Sequence, residues 1–173
     1  EVKRATAEQK QICEVNSGVY CFERAWLWFA LANLPRNPVG EYYLTDLVGI
    51  AGSQRRTIAT VHGSLDETLG INNRVQLAEM EQLLQRRILE RHMYAGVTII
   101  DHATTYIGSE VEIGMDTIIL PGTSISGSTR IGANCRIGPG TVIDNSTVGD
   151  GCIVRQSVLE ETTFEEGVSI GPF

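Results

Sequence analysis

From residue 107 onward isoleucine returns every six positions, at Ile107, Ile113, Ile119, Ile125, Ile131, Ile137 and Ile143. Four residues after each stands Val111, Thr117, Thr123, Thr129, Cys135, Thr141 or Thr147, and a glycine follows the isoleucine directly at Gly108, Gly114, Gly132 and Gly138. This is the hexapeptide pattern of a parallel β-helix, a solenoid whose short units bury their apolar residue only by stacking on the next coil. The isoleucine points into a narrow prism, where burial contributes on the order of 1.5–3 kcal/mol. The residue four places on must be small enough to share that layer, and glycine permits close backbone approach at a corner. Cys135 and Cys152 both fall in the small-residue slot and read as structural. The phase slips by one residue between Ile143 and Val148 and by two between Val154 and Val158, then resumes at Phe164 and Ile170. Those slips read as tightened corners.

Composition narrows the partners. With 42% hydrophobic and 20% charged residues in 173 positions, the chain is globular. A net charge of −7 argues against a broad basic surface for nucleic acid or an anionic membrane. No apolar run approaches the roughly 18 residues of a membrane span, so a cytoplasmic protein is expected. Cys13, Cys21, Cys135 and Cys152 form no C-x-x-C pair, and buried free thiols are the expected state of all of them. His62, His92 and His102 read as surface residues. The chain opens at Glu1 without methionine and stops within the repeat, which reads as a piece of a longer protein.

The first 62 residues follow another rhythm. Ile12 to Phe22 is apolar and extended, interrupted at Asn16-Ser17-Gly18; Glu23 to Leu34 carries Leu27, Leu31 and Leu34 on one helical face; Thr57 to His62 reads as a strand. Such alternation suggests α/β units. Pro35 and Pro38 end the first helix, and Thr45 or Asp46 can cap a short helix over Leu47 to Ala51. Asn73 to Tyr94 is a long helical run with Leu77, Met80, Leu84 and Met93 near one face. It spans roughly 33 Å at the ordinary helical rise and reads as a strut.

Three stretches place amides, hydroxyls or carboxylates where elements begin or break, the usual location of ligand contacts: Glu14-Val15-Asn16-Ser17-Gly18, Gly40-Glu41-Tyr42-Tyr43-Leu44-Thr45-Asp46 and Gly70-Ile71-Asn72-Asn73-Arg74. Each also has a plain reading: a turn for the first, strand residues and a cap for the second, an N-cap at Asn72 or Asn73 for the third.

In this order, followed by a helix and hexapeptide repeats, the three stretches resemble the bacterial family of bifunctional N-acetylglucosamine-1-phosphate uridylyltransferase / glucosamine-1-phosphate N-acetyltransferases. The resemblance covers all 173 residues. It implies part of an α/β, Rossmann-like nucleotidyltransferase domain over residues 1–72, a linker helix over 73–95, and the start of a left-handed parallel β-helix over 96–173. It implies that Glu1 and Asn16 contact the N-acetylglucosamine portion of the product, that Tyr43 and Thr45 line the same sugar pocket, and that Asn72 binds Mg²⁺ with an upstream aspartate. Uridylyl transfer has the sugar phosphate attack the α-phosphorus of UTP in line, a reaction of positioning and charge neutralisation, and Mg²⁺ favours such hard oxygen ligands. The substrates implied are UTP, N-acetylglucosamine-1-phosphate and glucosamine-1-phosphate, with acetyl-CoA as acetyl donor and a homotrimer as the assembly. The family's glycine-rich phosphate loop and its acetyltransferase residues have no counterparts here, so no catalytic residue is assigned in this chain. Alternative readings are a nucleotidyltransferase for another sugar phosphate and a non-catalytic hexapeptide scaffold.

Overall fold

The structure, a computed structural model, describes residues 6–38 and 40–172. The chain divides into two compact units between Gly70 and Ile71.

In the first unit, helix α1 (Arg24–Ala32) starts where the Glu23 carboxylate accepts hydrogen bonds from the Ala25 and Trp26 N–H groups, at 2.7 and 2.8 Å. Those two bonds hold the Glu23 carboxyl below its ordinary pKa. Helix α2 (Asp46–Ser53) packs Leu47 and Ala51 against Trp26 and Ala30, with Leu27, Leu31 and Leu34 partly buried around them. The Trp26 indole N–H donates to the Gln54 side-chain oxygen at 2.7 Å, and the Arg56 guanidinium lies over the Trp26 ring. A single-turn helix α3 (Leu65–Thr68) follows, held by a capping box from Ser64 and Glu67.

No strand forms among the described residues of this unit. Thr57 to His62, expected as a strand, is extended without a ladder, because a strand exists only where a neighbour takes its N–H and C=O groups. Cys13 and Cys21 are exposed, contrary to the expected burial of every thiol, since the segment carrying them is not enclosed.

The second unit opens with helix α4 (Arg74–Tyr94) and continues as a parallel β-helix of about four turns. One wall stacks β1 (Thr98–Ile99), β4 (Ile118–Ile119), β7 (Arg136–Ile137), β10 (Ile153–Val154) and β13 (Ser169–Ile170). The next stacks β2 (Tyr106–Ile107), β5 (Ser124–Ser126), β8 (Val142–Asp144) and β11 (Val158–Glu160). The third stacks β3 (Glu112–Ile113), β6 (Arg130–Ile131), β9 (Thr147–Val148) and β12 (Thr163–Phe164), and every pair in all three walls is parallel. The register superposes Ile107 on Ile125, Ile143 and Leu159, so each wall buries one aliphatic column. Ile107, Ile119, Ile125, Ile137 and Ile143 are completely buried, as are Thr117, Thr123, Thr129 and Thr141 in the small slot.

The corners explain the slips in phase. In most six-residue steps the third residue after the inward one has left-handed backbone: Asp116, Gly122, Asn134, Gly140, Gly151 and Gly167, at φ between 57 and 71°. In the five-residue steps that residue moves to second place: Asn145, Gln156 and Glu161, at φ of 44–47°. Gly127 sits second within a six-residue step and departs from this rule. The two-residue slip expected at Val158 is corrected: Leu159 points inward and Val158 is 67% exposed, so the steps Val154–Leu159 and Leu159–Phe164 each lose one residue. Strand alternation places the larger Leu159 inward and leaves its β-branched neighbour outside.

Helix α4 buries Ile88, Leu89 and His92 on the first coil, whereas Leu77 and Leu84 of the expected face are about half exposed. The helix therefore covers the solenoid's open end with its last turns. His92, expected at the surface, is buried there, and its desolvation, aided by Arg91, pushes the imidazole pKa down. Among the described residues no helix is long and apolar enough to cross a membrane.

Candidate functional site

The Asn16 loop is closed by its own side chain. The Gly18 N–H donates to Asn16 Oδ1 at 3.1 Å and Asn16 Nδ2 donates to the Tyr20 hydroxyl. Tyr20 stacks on Phe22 with ring centroids 5.5 Å apart, and Phe22 meets Trp26 at 5.8 Å, so an aromatic ladder runs from the loop to the helical core. His62 Nδ1 lies 3.7 Å from Glu14 Oε1 at an exposed site, which brings the 57–63 segment beside the loop. Asn16 thus serves as the turn residue its plain reading expects, while its carboxamide stays at the surface.

The Gly40–Asp46 stretch begins at a turn in which Asn37 N–H donates to the Glu41 carbonyl at 2.8 Å and Glu41 N–H donates to Asn37 Oδ1 at 2.9 Å. Arg36 Nε donates to the Tyr42 hydroxyl at 3.0 Å with its guanidinium over the ring, so Tyr42 is engaged by Arg36. Tyr43 is half-buried, and its carbonyl accepts from Asp46 N–H at 3.0 Å. Thr45 precedes α2 but does not cap it: its backbone is already helical and its hydroxyl makes no capping bond. The expected cap by Thr45 or Asp46 is corrected, because a capping side chain needs extended backbone to reach back to the N–H groups. The exposed Thr45 hydroxyl remains available to a ligand.

Asn72 and Asn73 divide two roles. Asn73 is the cap of α4, its Oδ1 accepting from Gln76 N–H at 2.9 Å, and the Gln76 side chain accepts from the Asn72 N–H at 2.7 Å. The Asn72 carboxamide takes no part in the cap and lies exposed. It offers a neutral hard oxygen of the kind Mg²⁺ accepts. Asn72 belongs to the second unit, Asn16, Tyr43 and Thr45 to the first. Glu1 lies outside the described residues.

The second unit also has an open cavity of about 580 Å³, lined among others by Arg91, His92, Glu110, Glu112, Ser128 and Arg130. Sequence reading missed it, since its residues come from three separate segments and carry no local motif.

The description "Bacterial transferase hexapeptide (six repeats)" matches residues 110–145 and 128–159. Along its whole length the chain is 48% identical to the bifunctional protein GlmU of Caldanaerobacter subterraneus over 174 aligned positions. It is 45% identical to that of a Geobacillus species and 46% to that of Clostridium beijerinckii, again over all of its length. Over its whole length the chain is similar to one stretch of the bifunctional GlmU proteins. It spans 38% of the length of each of these GlmU relatives. The GlmU match extends across both units, so the non-repeating first unit is covered by it as fully as the solenoid.

Proposed function

We propose that this chain is part of a cytoplasmic enzyme that makes UDP-N-acetylglucosamine for cell-envelope precursors. The full enzyme transfers acetyl from acetyl-CoA to glucosamine-1-phosphate and then uridylyl from UTP to N-acetylglucosamine-1-phosphate. The observation that carries the reading is the match to bifunctional GlmU proteins along the whole of this chain, which includes the non-repeating first unit. In this reading residues 1–72 complete a Rossmann-like nucleotidyltransferase domain, 73–95 link, and 96–173 begin a left-handed acetyltransferase β-helix. The extended segments of the first unit are then strands whose neighbours lie elsewhere in the longer protein.

Glu1, Asn16, Tyr43 and Thr45 hold the N-acetylglucosamine portion. A carboxamide both donates and accepts, which suits sugar hydroxyls and the N-acetyl group, and the Asn16 carboxamide is exposed on a loop braced by the Tyr20–Phe22–Trp26 ladder. Asn72 supplies one oxygen ligand to Mg²⁺, consistent with its exclusion from the α4 cap. Bound Mg²⁺ neutralises and orients the substrate phosphates. The solenoid assembles as a homotrimer, supported by outward apolar residues in register on one wall, Val142 at 39% and Val158 at 67% exposure.

The test is a binding titration of the full-length protein carrying this chain, with Mg²⁺ present, using UDP-N-acetylglucosamine and UDP-glucose. UDP-N-acetylglucosamine binds at least about tenfold more tightly, and Asn16→Ala removes about tenfold of its affinity, the worth of one well-placed hydrogen bond. Equal affinity for the two nucleotide sugars overturns the substrate assignment.

A further inference from the structure

The first coil of a parallel β-helix has one face with no neighbour, and its strand edges are templates for pairing with another chain. In β2, Tyr106 N–H donates to the Thr123 carbonyl and Gly108 N–H to the Ile125 carbonyl, both toward the second coil. Ile107 between them therefore turns its N–H and C=O outward. Both groups meet one side chain: Ile107 N–H donates to Gln85 Oε1 and Gln85 Nε2 donates to the Ile107 carbonyl, each at 3.2 Å. A carboxamide presents one acceptor and one donor side by side, as a paired strand does. Two flanking contacts hold α4 in register over this edge. The Tyr106 hydroxyl donates to Glu81 Oε1 at 3.1 Å and Arg91 Nη2 donates to the Ser109 carbonyl at 3.0 Å.

The neighbouring wall is treated differently. In β3, Glu112 N–H and Gly114 N–H donate to the second coil, so the N–H and C=O of Ile113 turn outward as those of Ile107 do. That edge borders the cavity ringed by Arg91, Glu110, Glu112 and Arg130, and charged side chains at an edge oppose strand addition by solvation. Among the described residues of the first coil, only the β2 edge is met by a side chain that satisfies both backbone groups of its outward-facing peptide.

We propose that Gln85 is a surrogate strand: its carboxamide takes the place of a missing coil on the β2 edge and keeps that edge from pairing with a second copy of this chain. The experiment is residue-resolved amide exchange with sedimentation equilibrium on the chain and on Gln85→Met, which keeps the shape and removes both hydrogen bonds. Ile107 N–H exchanges about tenfold faster in Gln85→Met, Ile125 N–H in the second coil keeps its protection, and the average mass rises with concentration beyond that of the parent. Unchanged protection at Ile107, or a mass that follows the parent, overturns the proposal. If Gln85→Met exposes Ile125 as well, Gln85→Glu decides, because it keeps an acceptor for the Ile107 N–H. Ile107 protected in that variant supports the surrogate strand, and Ile107 exposed with Ile125 protected overturns it.

Discussion

Thr117 and Cys135 are joined inside the prism: Cys135 N–H donates to the Thr117 hydroxyl at 3.0 Å, and that hydroxyl donates to the Gly132 carbonyl at 2.8 Å. Thr129 holds a related pair two corners on, donating to the Ser126 carbonyl of its own coil and accepting from Ser146 N–H of the next at 3.2 Å. At Thr117 and Thr129 the hydroxyl stitches backbone groups of consecutive coils as well as fitting the space.

Thr117→Val accordingly destabilises the second unit by about 1–3 kcal/mol, since Cys135 N–H is left buried without an acceptor. Thr141 is the internal control: it is completely buried and its hydroxyl has no partner. Thr141→Val is neutral or stabilising. Denaturant midpoints of the two variants, compared at equal slope, check the contrast.

Glycines after the inward isoleucine are not equivalent. A Cβ at Gly114 would stand 2.5 Å from the Ala133 backbone nitrogen in the next coil, whereas one at Gly108 would meet nothing nearer than 3.5 Å. Gly114→Ala costs about 1–3 kcal/mol through forced backbone displacement, and Gly108→Ala leaves thermal stability within about 0.5 kcal/mol of the parent. Melting curves of the pair separate close coil approach from a general preference for glycine.

His92 gives the second unit a pH dependence. Burial first, then Arg91, lowers its pKa in the folded chain below the ordinary 6.5. The unfolded chain therefore binds the proton first, and stability falls as pH drops from neutrality through 6.5 toward the folded value. His92→Gln flattens this dependence. Melting temperatures of both proteins between pH 8 and pH 5, about the span in which histidine titrates, read it directly.

The paired asparagines before α4 allow the cap and the proposed ligand contact to be tested separately. Asn73→Ala lowers stability by about 1 kcal/mol through loss of the cap. Asn72→Ala, whose carboxamide is outside the cap, leaves the melting temperature unchanged and weakens Mg²⁺-dependent binding of the nucleotide sugar by the full-length protein. Calorimetric melting and a metal titration of each variant test the division.

The solenoid was legible from sequence because Ile107, Ile125 and Ile143 can be hidden only against one another, so their spacing carries the coil length. Leu159 was not, since Val158 is the more β-prone of two adjacent apolar residues and only the register decides which turns inward. Gln85, Arg91 and His92 read as an ordinary amphipathic helix, because an edge-capping contact depends on a coil 18 or more residues away. The first unit defeated strand assignment for a related reason: the extended pattern of Thr57 to His62 is present, but a ladder needs a neighbour that pattern cannot supply. Of the residues proposed to bind ligand, Asn72 stood beside an equally suitable cap residue, and only hydrogen-bond geometry assigns the cap to Asn73.

The measurement closest to the central claim is pyrophosphate release from UTP and N-acetylglucosamine-1-phosphate. The full-length protein carrying this chain releases it in a Mg²⁺-dependent manner, Asn72→Ala reduces the rate at limiting Mg²⁺ by about a hundredfold, and the 173-residue chain alone releases none. Release that Asn72→Ala leaves undiminished, or turnover by the isolated chain, would contradict the account.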